Sequence, residues 1–237
     1  MPNLRVSTGV NYLHIPVRQY DQSVYRIVRK EHLLSLLATR ENALVKPERW
    51  HDPFENFILK SHFVRNGELV TIGHRDLYYG QCWTLQRASD AMWRIYSPDS
   101  TGIRIRSTIR KLAESLENWR AEWAAQEVYV GKVRYLTTAR LLAFGRSVLV
   151  LGCNDGPLTY KKLAETLLVK RPAFQHEREI RLLFKSSESR PAGNLPFNPG
   201  HLAPNARSGK LAGQGMKSRP SDGNRSSRGN LAGLTTG

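Results

Sequence analysis

Cysteine is scarce in this chain of 237 residues, which contains two, Cys82 and Cys153. Residues so far apart in sequence form neither a disulfide framework nor a metal-binding knuckle, so we expect two reduced, buried thiols. No apolar run approaches the roughly 18 residues that a membrane-spanning helix needs, and the N-terminal residues lack the apolar stretch of a signal peptide. We therefore predict a cytoplasmic protein with no membrane-spanning segment.

Motifs of several common enzyme classes are also missing. No G-x-G-x-x-G follows a predicted strand, and G-x-x-x-x-G-K-[ST] does not occur, so Rossmann and P-loop nucleotide sites have little support. The chain contains no H-E-x-x-H, no Cys/His metal spacing and no G-x-S-x-G. The sequence thus predicts no metal site and gives no support to a metalloprotease or an α/β-hydrolase.

Acidic residues are few: 20 Asp and Glu stand against 36 Lys and Arg, a net charge of +16. Residues 191–237 hold six basic residues, one acid, nine glycines and five prolines, a composition that cannot build a core. We predict one domain at residues 1–185 and a disordered basic tail at 186–237, suited to weak nucleic-acid contact; an unselected terminus is the alternative. The charge left outside residues 191–237, +11, points to a polyanionic partner, nucleic acid before a membrane surface.

Short strands interleaved with helices predict an α+β fold for the body of the chain, with no βαβ repeat. Strands are predicted at residues 23–27, 43–45, 78–84, 102–107, 128–135 and 180–184, and one more short element at residues 69–72. Helices are predicted at residues 30–40, 89–96, 108–125 and 158–170, the second of them capped by Ser89. Alternation in the strand at 102–107 places Arg104 and Arg106 on one face. With Arg110 and Lys111, which follow, they form a predicted nucleic-acid-binding patch.

Several short boxes combine polar and aromatic side chains in a fixed order. The sequence reads W-H-D-P-F-E at 50–55, C-W-T at 82–84, S-D-A-M-W-R-I-Y-S at 89–97, G-I-R-I at 102–105 and F-Q-H-E-R-E-I-R at 174–181. These boxes resemble the bacterial family named domain of unknown function 2971 over residues 22–184. The first box departs from the family pattern at His51, where Asn is usual. The family name implies no activity.

A second resemblance does imply an activity. The order strand, helix, strand, then a middle strand that ends in a hydroxyl residue and a late strand preceded by E-x-E, resembles the ADP-ribosyltransferase fold. That resemblance implies NAD as a substrate held by Arg26, a ribose contact from Thr84, and catalysis by Glu177 or Glu179. The remaining candidates are neighbours of these positions: Tyr25, Trp83, Trp93 and Tyr96 for contact with NAD or an acceptor base, and Asp52 and Glu55 for a supporting network.

The chemistry of NAD cleavage fits these residue types. Breaking the bond between ribose and nicotinamide develops positive charge, which a nearby carboxylate stabilises. Carboxylates two residues apart on extended backbone face the same side, so we predict that Glu177 and Glu179 divide the work of orienting the ribose and activating the acceptor. Alternating Glu and Arg is also typical of a solvated, salt-bridged strand face. Likewise, Met92, Trp93 and Tyr96 at helical spacing are typical of a packed core.

The sequence therefore favours an NAD-dependent, ADP-ribosyltransferase-like enzyme, a toxin or anti-phage effector that acts on nucleic acid or protein. The alternative is a non-catalytic module that binds nucleic acid through its basic patch. A third hypothesis is a nuclease that holds a metal with Asp52, Glu55, Glu177 and Glu179, although no recognised spacing supports it.

Overall fold

Strands and helices alternate along the chain in the computed structural model, which describes residues 9–50, 52–65, 67–87, 89–122, 127–153, 158–189 and 194–197. The strands are β1 (Asn11–Leu13), β2 (Ser23–Val28), β3 (Asn42–Val45), β4 (His62–Arg65), β5 (Glu68–Thr71), β6 (Tyr78–Thr84), β7 (Ile103–Thr108), β8 (Glu127–Lys132), β9 (Arg134–Tyr135), β10 (Val169–Lys170), β11 (Glu179–Lys185) and β12 (Asn194–Phe197). The helices are α1 (Lys30–Thr39), α2 (Phe57–Lys60), α3 (Asp90–Tyr96), α4 (Ile109–Glu122), α5 (Thr138–Cys153) and α6 (Tyr160–Thr166). Short 3₁₀ turns lie at Val17–Gln19, Pro47–Arg49, Pro53–Asn56, Arg75–Leu77 and Pro172–Glu177. The predicted α+β class is confirmed, and all described residues belong to one compact unit, residues 1–206.

One mixed sheet organises the fold, with strand order β1-β8-β11-β6-β2-β7. Strand β11 lies at its centre, antiparallel to both β6 and β8. Strand β6 has two further neighbours: Thr84, at its end, pairs with Tyr25 of β2, and Gly80, in its middle, pairs with Val45 of β3. In the described residues, β2 and β6 share that single register position. The part of β6 that precedes Thr84 therefore separates from β2, and this separation positions the site.

The alternation of β11 divides the core between the two faces of the sheet. Ile180, Leu182 and Phe184 pack on one face with α1 and the apolar stripe of α4. Leu183 packs on the other face with residues of α2, α5 and α6. Both faces are therefore covered, and all seven residues of β11 are buried, including Glu179, Arg181 and Lys185. Charged side chains on this strand need partners inside the protein.

Local signals predicted most of the elements near the centre of the fold. The strands predicted at 23–27, 43–45, 78–84 and 180–184 correspond to β2, β3, β6 and β11, and the Ser89 hydroxyl accepts from the Met92 N–H, as a cap of α3 should. The helix predicted at 158–170 is wrong at its end, because α6 stops at Thr166 and the chain then enters β10 beside β9. Helix α5 had no prediction. No helix among the described residues combines the length and the apolar character that crossing a membrane requires.

The segment predicted as a tail is partly ordered. Residues Asn194–Phe197 form β12, antiparallel to β3, although the predicted tail begins at Ser186. The open edge of β3 supplies backbone partners to this stretch, so pairing gives it an order that its composition does not predict. Residues 190–193 and 198–237 of the predicted tail lie outside the described residues.

Candidate functional site

A cavity of about 380 Å³ opens where β2 and β6 separate, a size within the usual range of small-molecule sites. Its walls come from these two strands, from α3, from residues 45–55 and from the turn at Pro172–Glu177. The predicted site residues that line it are Tyr25, Arg26, Asp52, Glu55, Trp83, Thr84, Tyr96, Glu177 and Glu179. Boxes that are distant in the sequence therefore meet around one cavity.

Trp93 is the exception among the candidates for NAD contact, because it does not line the cavity. The face of α3 toward the cavity carries Met92, Ile95 and Tyr96, which follow the helical spacing of three and four residues. The helix turn places Trp93 to the side of this face. The cavity lining therefore gives no support to the prediction that Trp93 contacts NAD or an acceptor base.

The floor of the cavity belongs to a cluster of buried charges, Glu55, Lys170, Glu177, Glu179 and Arg181, which we call the buried charged cluster; its members other than Arg181 line the cavity. The Lys170 Nζ atom lies 2.9 Å from Glu55 Oε1, 2.5 Å from Glu177 Oε2 and 3.5 Å from Glu179 Oε2. Arg181 Nη2 lies 2.5 Å from Glu55 Oε2 and 2.9 Å from Glu179 Oε2, and Arg181 Nε donates to Glu179 Oε1 at 3.0 Å. Three carboxylates thus share two cations, which leaves a formal charge of −1 inside the protein.

Arg181 holds this cluster in place from within the sheet. Its side chain is fully buried, it donates to the Leu167 carbonyl at 2.6 Å, and its guanidinium lies 4.2 Å from the centre of the Trp50 ring. The absence of a side chain at Gly80 makes room for that ring, because a Cβ there would stand 2.8 Å from a Trp50 ring carbon. The indole and the strand together fix the cation that orients Glu179.

Burial and charge act against each other on the pKa values of the cluster. Burial alone would raise the pKa of Glu179, but the Arg181 guanidinium overcomes this effect and, with Lys170, holds it below its usual value. Burial raises the pKa of Glu55 despite the same two cations. Burial alone would lower the pKa of Lys170, but Glu179 and Glu55 hold it above its usual value. The ammonium and the Glu179 carboxylate are therefore both charged at neutral pH.

Glu177 and Glu179 come together by a different route from the predicted one. Glu177 ends the 3₁₀ turn, and Arg178 has a left-handed backbone with φ of 43° before Glu179 begins β11. The two carboxylates are thus not on one face of an extended chain, and they converge because both reach Lys170. Nor do they lie on a solvated strand face, since each residue is 4% exposed.

Thr84 and Tyr96 both form hydrogen bonds with Glu177. The Thr84 hydroxyl donates to the Glu177 carbonyl and accepts from the Gln86 N–H at 3.0 Å. The Tyr96 hydroxyl donates to Glu177 Oε1 at 3.3 Å, and burial, followed by the nearby Glu177 carboxylate, raises the pKa of Tyr96. Thr84 therefore fixes the backbone of Glu177 and keeps one lone pair for another donor.

Arg26 is a cation in the cavity that has no opposite charge beside it among the described residues. Its side chain is half-buried and lines the cavity, and no described residue forms a hydrogen bond or an ion pair with it. Burial lowers the pKa of its guanidinium, but arginine remains charged in proteins. An unpaired guanidinium that is partly removed from water favours an anion such as phosphate.

Sequence reasoning missed Lys170, a member of the cluster, and Arg171, which lies next to it. Arg171 donates to Asp52 at 2.9 and 3.2 Å, and the same carboxylate accepts from the Phe54 N–H at the start of the Pro53–Asn56 turn. The paired cations immediately before Pro172 were the available signal, but residue 170 was assigned to the end of a helix. Asp52 and Glu55 do form a supporting network, each with a basic partner.

The predicted basic patch divides into two parts. Arg104 and Arg106 lie on β7 opposite Ile27 and Tyr25 of β2. Arg110 lies in the first turn of α4, which packs on the other face of the sheet, and it donates to Asp21 at 2.7 and 2.9 Å. Lys111 follows Arg110 in the same helix. The four residues do not form one surface, because alternation in β7 and the position of α4 place the two pairs on opposite faces.

Among the described residues, no group of three or more His, Cys, Asp or Glu side chains is arranged to hold a metal ion. The carboxylates proposed for a nuclease are instead paired with Lys170, Arg171 and Arg181, so the geometry gives that hypothesis no support. Comparison with protein families, curated proteins and solved structures found no match to the chain.

Proposed function

We propose that the chain is an NAD-dependent enzyme that resembles ADP-ribosyltransferases and belongs with the domain of unknown function 2971 proteins. The observation that supports this proposal is the meeting of Arg26, Thr84, Glu177 and Glu179 around one cavity. Arg26 lies on β2, Thr84 ends β6, and Glu177 and Glu179 lie at the turn into β11, so the four residues keep the chain order that the resemblance implies. Residues on separate faces would have argued against it.

The two carboxylates have different roles in this proposal. Both oxygens of Glu179 accept from Arg181, so Glu179 acts as a positioning residue and as a source of negative potential. Glu177 Oε1 accepts only a 3.3 Å bond from Tyr96 among the described residues, and a ribose hydroxyl can replace that bond. We assign Glu177 to the direct contact with the ribose.

The proposed reaction follows from these positions. Arg26 binds the diphosphate of NAD, and the ribose lies above the carboxylates of the buried charged cluster. The bond between C1′ and the nicotinamide nitrogen breaks, and its electron pair leaves with nicotinamide, whose positive ring becomes neutral. The negative floor stabilises the positive charge that develops on the ribose. An acceptor oxygen or nitrogen then bonds to C1′ and gives up its proton to water.

The test is nicotinamide release from NAD by the full-length protein, followed by chromatography. We expect Glu177→Gln to reduce the rate about 100-fold or more, the usual effect of removing an electrostatic contact to a transition state. Arg26→Gln should raise KM more than it lowers kcat. Glu31→Gln is the matched control, because Glu31 is exposed in the first turn of α1, outside the cavity.

Circular dichroism of each variant confirms that it is folded. The proposal fails if the wild-type protein releases no nicotinamide, or if Glu177→Gln releases it as fast as Glu31→Gln does. Glu179→Gln is less informative by itself, since it also leaves Arg181 with fewer partners.

A nucleic-acid-binding module without chemistry is the second candidate. It is favoured by Arg104 and Arg106, which form no ion pair within the described part of the chain. Nucleic-acid binding without nicotinamide release would select this candidate over the enzyme.

A further inference from the structure

We propose that Arg87, Arg104 and Arg106, the arginine strip, bind single-stranded nucleic acid and lead one of its nucleotides to the cavity as the acceptor of ADP-ribose. The acceptor role rests on the proposed function. The binding role does not, because it follows from the register of Arg104 and Arg106, the exposure of Arg87 and Arg106, and the positive charge of all three.

The register of two strands places the arginine strip beside the cavity. Arg106 is opposite Tyr25 and Arg104 is opposite Ile27 in the antiparallel pair of β2 and β7. Residues directly opposite each other in such a pair share a face of the sheet. Tyr25 and Ile27 both line the cavity, so the two arginines continue its wall outward on the same face.

Charge on the arginine strip is open to a partner. No carboxylate among the described residues pairs with any of its three members, and Arg87 and Arg106 are exposed. Arg104 donates to the Arg87 carbonyl, and its guanidinium lies 5.5 Å from the centre of the Tyr25 ring. These contacts hold Arg87 and Arg104 near Tyr25, and they leave most of the guanidinium donors of the strip available for phosphates.

Aromatic side chains at the cavity favour a single strand over a duplex. Tyr25 and Tyr96 both line the cavity, and Tyr96 is 39% exposed. Basic side chains that follow a backbone, beside aromatic rings on which bases stack, are the features by which proteins bind single strands. A nucleotide must also leave its stack to enter a cavity, which costs least in a single strand. The neighbouring cavity therefore selects an unpaired nucleotide.

The experiment compares two double variants of the full-length protein that remove the same amount of charge. Arg104→Gln with Arg106→Gln removes two cations of the arginine strip. Arg110→Gln with Lys111→Gln removes two cations from the opposite face. Fluorescence anisotropy measures binding of short labelled single-stranded RNA and DNA, a duplex of the same sequence and an acidic peptide, at several salt concentrations. Arg106→Gln alone is included because that exposed side chain forms no hydrogen bond with a described residue.

We expect the strip variant to bind a single strand at least tenfold more weakly than the wild type, and the control less than twofold more weakly. The salt slope of the strip variant should fall by about 0.7 for each phosphate that the protein no longer neutralises. Equal weakening in both double variants, equal or tighter binding of the duplex or the acidic peptide, or no binding at all would overturn the proposal.

Nicotinamide release separates this proposal from the proposed function. If binding depends on the strip but the protein releases no nicotinamide, the strip remains a binding site, and the role of the bound nucleotide as acceptor is overturned. If the protein releases nicotinamide but the strip variant binds oligonucleotides as tightly as the wild type, the proposed role of the strip is overturned and the proposed enzyme activity stands. The whole proposal is supported if the wild type shows both activities and the strip variant no longer transfers ADP-ribose from labelled NAD to the oligonucleotide.

Discussion

The buried charged cluster and the arginine strip are both rich in charge, and they differ in how that charge is compensated. In the cluster, each cation lies within 3.5 Å of at least two carboxylates, and all five residues are at most 5% exposed. In the strip, three arginines have no carboxylate partner among the described residues. The floor of the cavity is therefore net negative while its edge is positive. In the proposed function, the positive edge attracts a polyanion and the negative floor stabilises a developing cation.

The largest expected effect comes from breaking the cluster. Arg181→Met leaves Glu55 and Glu179 buried with one cation fewer, and we expect it to lower the free energy of unfolding by about 3–5 kcal/mol. Arg106→Met, the matched change in the strip, should alter it by less than about 0.5 kcal/mol. Urea unfolding followed by tryptophan fluorescence measures both. Similar decreases of the unfolding free energy in the two variants would contradict the claim that a buried charge contributes more to stability than an exposed one.

The second prediction concerns pH and tests opposite signs inside the cluster. The folded pKa of Glu179 is below the ordinary value of 4.5, so its contribution to stability is present above about pH 4.5. It disappears as the pH falls through the folded pKa. The folded pKa of Glu55 is above 4.5, so its ionisation lowers stability as the pH rises through that value.

Glu179→Gln should therefore make stability less sensitive to acid, and Glu55→Gln should make it more sensitive. Unfolding free energies measured between pH 3 and 7 give the two slopes, with Glu31→Gln as the exposed control. The same change of slope in both cluster variants would contradict these assignments.

A smaller effect is expected where a buried and an exposed Asp–Arg pair are compared. Asp52 is buried, caps the Pro53–Asn56 turn and binds Arg171, which is 36% exposed. Asp52→Ala should cost about 1–2 kcal/mol, the range for removal of a cap. Asp90 forms an exposed pair with Arg94 in α3, and Asp90→Ala should cost only about 0.3–0.5 kcal/mol. Thermal unfolding of the two variants measures the difference, and equal costs would refute it.

The smallest effect is expected in the strip itself. Arg104 and Arg106 are like charges two residues apart on one face of β7, so Arg106→Gln should leave stability unchanged or raise it by less than about 0.5 kcal/mol at low salt. Added salt should remove the gain because it screens exposed charges. Arg94→Gln removes one member of the Asp90–Arg94 pair of opposite charges, so it should lower stability at low salt. A clear decrease of stability in Arg106→Gln would reveal a partner for this side chain.

Strands that end at clear turn signals were the predictable part of the fold. The run at β6 is apolar and aromatic, a composition typical of a buried strand, and its predicted bounds match the structure. The order of the boxes also placed most of the candidate residues around one cavity. Trp93 does not line the cavity, because the turn of a seven-residue helix directs it away from the face that carries Met92 and Tyr96.

Other features of the site depend on neighbours that are distant in the sequence. Lys170 reaches Glu55 across more than a hundred residues, and no local pattern predicts such a pair. The end of α6 was wrong because backbone pairing of β10 with β9 outweighed helical preference. Arg178, with its left-handed backbone, brings two glutamates together at a point where the sequence predicts extended backbone.

The sequence by itself determined the α+β class, the excess of positive charge, and the shared face of Arg104 and Arg106, because composition and short-range periodicity suffice for these properties. Only the tertiary structure decided which charges are buried and which are exposed. Placing β11 between β6 and β8 buries Glu179 and Arg181, and pairing β7 with β2 sets Arg104 and Arg106 beside the cavity. The environment of a charge, and hence its pKa and its partners, depends on these long-range contacts and not on its neighbours in the chain.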